Sequence, residues 1–147
     1  MSTPIFESAP GGSRPAAELV GCGIDAEDSG RFLPGAAPWG WADVFSENEL
    51  AHARRASDPA RALCAAFCAK EALFKAVRLP FAPAECELQL NPSSQEQDVH
   101  LSAAIRQQSG ISRVVASVMF AEGGECLVTV LVFGPGHEAG SVPGAAL

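Results

Sequence analysis

Two short stretches of this chain bring together side chains capable of handling a phosphate or a metal ion. In the first, Gly23-Ile24-Asp25-Ala26-Glu27-Asp28, three carboxylates close an apolar run. If that run is a strand that continues through them, alternation puts Asp25 and Glu27 on one side of it. Two hard oxygen donors converging there could hold Mg²⁺, an ion that keeps several waters and usually takes one or two protein carboxylates plus substrate phosphates. The second stretch is Phe67-Cys68-Ala69-Lys70-Glu71-Ala72-Leu73-Phe74-Lys75. Glu71 and Lys75 are four residues apart and share a helical face, and Lys70 lies about 100° round the axis from Glu71. A carboxylate between two ammonium groups could complete a metal site while the lysines neutralise phosphate oxygens. Each stretch also has a plainer explanation: solvated acids in a turn, and a surface ion pair worth about 0.3–0.5 kcal/mol. Taken singly, composition favours the plainer one.

The elements that must carry these residues are legible in outline. Glu18–Ile24 is a short apolar run and reads as a buried strand. Arg31–Trp41, with Pro34, Gly35, Pro38 and Gly40, reads as a loop with a turn of helix. Ser46 three residues before Glu49 is a capping-box pattern, which predicts a helix from about Glu47 to Ala56. Asp58-Pro59 opens a second, longer helix through about Arg78, since aspartate caps free N–H groups and proline is tolerated at the first position. Leu63, Phe67, Phe74 and Val77 form its expected core-facing stripe, and Pro80 ends it. Glu85–Leu90 alternates and reads as a strand, and Asn91–Asp98 reads as a turn. Ser102–Ser109 is a short helix stopped by Gly110. Val114–Phe120 and Cys126–Phe133 are strands joined as a hairpin. The expected fold class is α+β: a mostly antiparallel sheet packed against a long helix. The expected division is a loose tail over 1–17, one domain over 18–133 and a second tail over 134–147.

Bulk properties narrow the function classes. The chain has 147 residues, 48% hydrophobic and 18% charged, which suits a single folded unit with a real core. Seventeen acids against ten Lys and Arg leave a net charge of −7, which argues against nucleic-acid or anionic-membrane partners. No apolar run is long enough to span a bilayer, and Met1–Pro15 lacks a signal pattern. Of five cysteines only Cys64 and Cys68 are close in sequence, and no second pair completes a four-ligand zinc pattern. They read as reduced, mostly buried apolar residues, in keeping with a cytoplasmic location. His52, His100 and His137 stand outside both stretches, and Trp39 and Trp41 read as packing residues.

Taken together, the two stretches resemble the signature motifs of 4'-phosphopantetheinyl transferases. These are a Gly-(Ile or Val)-Asp box, met by Gly23-Ile24-Asp25, and an aromatic-x-x-Lys-Glu-(Ala or Ser)-x-x-Lys box, met by Phe67, Lys70, Glu71, Ala72 and Lys75. Phe45-Ser46 through Glu49-Leu50 is similar to the family's helix start. Leu101–Ala104 leading to Gly110-Ile111 resembles the small holo-acyl-carrier-protein synthase branch.

The resemblance implies transfer of the phosphopantetheine arm of coenzyme A onto a serine of an acyl carrier protein of fatty-acid, polyketide or related biosynthesis. It implies Mg²⁺ bound by Asp25 and Glu71 first, Glu27 second and Asp28 third. Glu71 would be the base for the carrier serine and Lys70 a second catalytic group. Lys70, Lys75, Phe67 and Ser117 would face coenzyme A. A chain of this size would form a homotrimer, with each site at a subunit boundary. The small-branch pattern also has an arginine where this chain has Ala66, a lysine in the turn at 91–98 and a histidine after Ser117 that are missing here. Those gaps leave open an alternative: a non-catalytic relative serving as an interaction subunit of a biosynthetic complex.

Overall fold

A computed structural model describes residues 17–33, 41–79, 81–88, 90 and 95–135. The expected tails up to residue 16 and from 136 onward lie outside the described residues, as do Trp39, Pro80 and the turn at 91–94. Four strands and three helices follow one another as β1 (Glu18–Asp28), α1 (Glu47–Arg55), α2 (Pro59–Ala76), β2 (Glu96–Val99), α3 (Ala103–Ser109), β3 (Arg113–Phe120) and β4 (Glu125–Gly134). The strands form one antiparallel sheet in the order β1-β4-β3-β2, and α2 packs across one face of it. The expected α+β class holds.

Local chemistry explains the helix ends. The Ser46 hydroxyl accepts from Glu49 N and the Glu49 carboxylate accepts from Ser46 N, so the capping box closes in both directions. Asp58 accepts from Arg61 N, with Pro59 just inside α2. Each such cap stabilises its helix by about 1 kcal/mol. Ser102 caps α3, and Gly110 ends it at φ 73°, a left-handed conformation that suits glycine. The β3–β4 hairpin forms as expected.

Three expectations are corrected. Glu85–Leu90 is not a strand: Pro83–Glu85 is a turn of 3-10 helix, and the chain beyond it is irregular where described. Cys86, Leu88 and Leu90 are buried as alternation suggested, yet Leu88 N donates to the Glu49 carboxylate, not to a neighbouring strand. The fourth strand position instead falls on Glu96–Val99, whose polar residues Glu96–Asp98 were expected to be a turn, and which pairs with Val114–Ser117.

The second correction concerns β1, which runs on through the acids to Asp28. The third concerns α2. Leu63, Phe67, Phe74 and Val77 lie on its flanks, partly buried, while the residues against β1 and β4 are small and fully buried: Cys64, Ala65, Cys68, Ala69 and Ala72, with Leu73 and Lys70 the large side chains buried beside them. This narrow surface lets strand and helix close tightly. A Cβ added at Gly23 would lie 1.9 Å from the Ala72 carbonyl oxygen, and one at Gly21 would lie 2.5 Å from that of Ala76.

Candidate functional site

The glycines set the register of β1 against α2. Gly21 meets Ala76 and Gly23 meets Ala72, so two residues of strand advance against one helical turn. The same progression brings Glu27 to Cys64, whose thiol lies 3.6 Å from the Glu27 carbonyl oxygen. Asp25 lies between, on the helix side of the strand. There the Lys75 ammonium donates to Asp25 Oδ1 at 2.8 Å and to the Ile24 carbonyl at 3.3 Å. The hydrogen bond to Asp25, and the charges of Asp25 and Glu71, hold the Lys75 ammonium above its ordinary pKa. One lysine thus feels both acids of the expected metal pair.

The remaining oxygen of that aspartate is unusual. Asp25 Oδ2 is buried and, among the described residues, is the one buried side-chain polar atom with no hydrogen-bond partner. Natural proteins rarely leave such an atom unmatched without a ligand or a function to account for it. Glu71, half-buried, makes no hydrogen bond or ion pair among the described residues. The donors offered here are hard carboxylate oxygens, which fits Mg²⁺ rather than a thiophilic metal.

The other acids are engaged. Glu27 faces the helix side, as alternation requires, and is ion-paired with Arg31, whose guanidinium that hydrogen bond holds above its ordinary pKa. Asp28 points to the opposite side of the strand, where its carboxylate caps Gly30 N at 2.8 Å. That geometry removes it from the set around Asp25.

Lys70 lies elsewhere than expected. Its side chain is 1% exposed, and its three N–H groups donate to Val44 O at 2.7 Å, Glu49 Oε1 at 2.6 Å and Pro83 O at 2.7 Å. The ammonium also stands 5.4 Å from the Phe45 ring centroid. Burial pulls its pKa down, against the opposing pull of Glu49. No N–H remains for a phosphate. Glu49 is equally committed: besides Lys70 and its capping role it accepts from Leu88 N. This cluster ties α1, α2 and the 83–88 segment together. Sequence reasoning saw Glu49 only as half of a capping box and missed the pairing, for which a separation of 21 residues gave no local signal.

Phe67 packs its ring 5.3 Å from that of Phe32, beside the buried Phe45. Ser117 is exposed on the sheet face away from α2, between Thr129 and Glu96 on the neighbouring strands. Within one chain the structure therefore pairs Lys75 with Asp25, within reach of the Glu71 charge, but does not bring Ser117 or Lys70 to them. The position where the small-branch pattern has arginine is Ala66, 5% exposed.

No protein of curated function matches the chain significantly. Solved structures do. A holo-acyl-carrier-protein synthase from Neisseria meningitidis is similar with a TM-score of 0.61 at 22% identity, over 78% of this chain and 98% of its own. The acyl carrier protein synthase from Mycobacterium tuberculosis is similar with a TM-score of 0.55 at 26% identity, over 80% and 100%. That from Plasmodium yoelii, solved with ADP bound, reaches 0.61 at 18% identity, over 81% and 98%. The description of the 4'-phosphopantetheinyl transferase superfamily fits residues 21–116, well over half of the chain. Because that match takes in both the strand bearing Asp25 and the helix bearing Glu71, the chain belongs to the 4'-phosphopantetheinyl transferase superfamily.

Proposed function

We propose that the chain transfers the 4'-phosphopantetheine arm of coenzyme A to a serine of an acyl carrier protein, with Mg²⁺ as cofactor. The observation that carries this reading is the buried Asp25 Oδ2, without a partner among the described residues, beside a lysine that also feels Glu71. Asp25 and Glu71 would hold the ion, with Glu27 as a further candidate once released from Arg31. When bound, Mg²⁺ would neutralise charge on the pyrophosphate oxygens and on the departing phosphate.

The chain's own groups supply the rest. Glu71, half-buried and without a hydrogen bond or ion pair among the described residues, accepts the proton of the carrier serine as its oxygen attacks the pantetheine-side phosphorus. The bond from that phosphorus to the bridging oxygen breaks, and adenosine 3',5'-bisphosphate leaves with the electron pair. Lys75, 54% exposed, can turn from Asp25 to a phosphate oxygen. Transfer of this kind depends mainly on positioning and charge neutralisation. Lys70 enters as a positioning residue, since it locks the rotation of α2 and so the direction of Glu71.

A homotrimer belongs to this proposal. The sheet face away from α2 leaves Ile24, Met119 and Leu131 exposed on β1, β3 and β4, with Ser117 among them. A second copy covering that face would bury the apolar residues and bring Ser117 to a subunit boundary. Cytoplasmic location is likewise part of the proposal; among the described residues no helix is long and apolar enough to cross a membrane.

The test is mass spectrometry of apo acyl carrier proteins incubated with the chain, coenzyme A and Mg²⁺. Gain of the arm, abolished by chelator, is the expected result. No gain across a panel of carriers, with no coenzyme A binding by calorimetry, would overturn it in favour of an interaction subunit, a reading that Ala66 and the engaged Lys70 would then explain.

A further inference from the structure

The fold completes a cluster that spacing alone could not show. Cys64 and Cys68 stand one turn apart on α2, and Cys126, distant in sequence, enters from the start of β4 beneath them. All three are fully buried, and their sulfurs lie within 4.8 Å of one another. Three thiolates round one ion at a metal–sulfur distance of about 2.3 Å stand about 4 Å apart, so closure needs only a small contraction. Among the described residues no other His, Cys, Asp or Glu joins this group. It therefore offers three soft donors and no fourth, unlike the tetrahedral set that zinc prefers.

We propose that Cys64, Cys68 and Cys126 form a trigonal site for a soft, sulfur-seeking metal ion, with Cu(I) the best fit. Soft thiolates select such ions over the hard cations that suit carboxylates, so this site and the Asp25–Glu71 site would not compete for one metal. Binding forms three Cu–S bonds as the S–H protons leave to solvent, with no change of oxidation state. Positive charge is close by: the Arg61 guanidinium stacks 4.9 Å from the ring centroid of Phe120, the cross-strand partner of Cys126.

The experiment is anaerobic titration of the reduced full chain with Cu(I) against a chromophoric copper chelator. The native chain and a C22A/C86A double variant, which keeps the trio, are expected to withdraw one Cu(I) each. Cys126→Ala and Cys64→Ala are expected to weaken binding at least tenfold. X-ray absorption of the loaded native chain needs no variant and should show a shell of three sulfurs. Equal withdrawal by a folded C126A or C64A chain, or a shell containing nitrogen or oxygen donors, would overturn the proposal.

Discussion

Helix α2 carries two lysine–carboxylate pairs five residues apart, and they are built to opposite ends. Lys70 and Glu49 are each 1% exposed, and all three lysine N–H groups and both carboxylate oxygens have partners. Lys75 and Asp25 are 54% and 13% exposed, and one carboxylate oxygen has no partner among the described residues. A closed network cannot exchange a partner without dismantling the fold around it, because an ion left alone in a low dielectric is very costly. An open one can trade its lysine for a metal or a phosphate at little cost. Under the proposed function, two adjacent letters of one motif, Lys70 and Glu71, divide into a structural and a chemical role.

The strongest way to break this contrast is Lys70→Met. It leaves the Glu49 carboxylate buried without its cation, and the expected loss is about 3–5 kcal/mol of stability, read from urea unfolding. A loss below about 1 kcal/mol, the worth of an exposed pair, would place Lys70 with Lys75. Next comes Asp25→Asn, expected to cut carrier-protein modification about 100-fold, or about 2.7 kcal/mol of barrier, with the unfolding midpoint nearly unmoved. A large stability loss with turnover intact would reverse the assignment.

Gly23→Ala sharpens the comparison without touching either pair. Its Cβ would meet the Ala72 carbonyl, and overpacking of this kind costs about 1–3 kcal/mol. Turnover should fall with it as β1 lifts from α2; a wild-type rate would show that the spacing is not critical. The smallest effect is Lys75→Met, expected to change stability at the edge of detection because the pair is exposed. Its sign with pH is fixed. The folded pKa is raised, so the contribution is complete below the ordinary lysine value of 10.5 and is lost as pH rises through the folded value. The stability difference between native and variant chains should therefore narrow as pH rises into the alkaline range.

Most of what local chemistry dictates was readable in the sequence. Ser46 with Glu49, Asp58 with Pro59, and Ser102 with Gly110 mark helix ends because the groups that satisfy one another lie within a few residues. Asp25 and Glu27 fall on one side because strand alternation is obligatory. What failed depended on partners far along the chain. The alternation of Cys86, Leu88 and Leu90 reports burial truthfully, but burial does not say where a backbone N–H goes, and Glu49 claimed that of Leu88. The direction of Lys70 was hidden for the same reason: a helical wheel places it relative to Glu71, whereas only the fold shows which side is closed. Cys126 joins Cys64 and Cys68 through sheet pairing that no spacing rule reaches.

The two glycines of β1 have a consequence beyond packing. Because main chain rests nearly on main chain at Gly21 and Gly23, the gap between strand and helix is gauged by a pair of hydrogen atoms, not by the reach of side chains. Drift among the surrounding apolar residues can then alter the volume of the interior without altering that gauge, so the jaw that carries Asp25 keeps its width while the rest of the sequence changes.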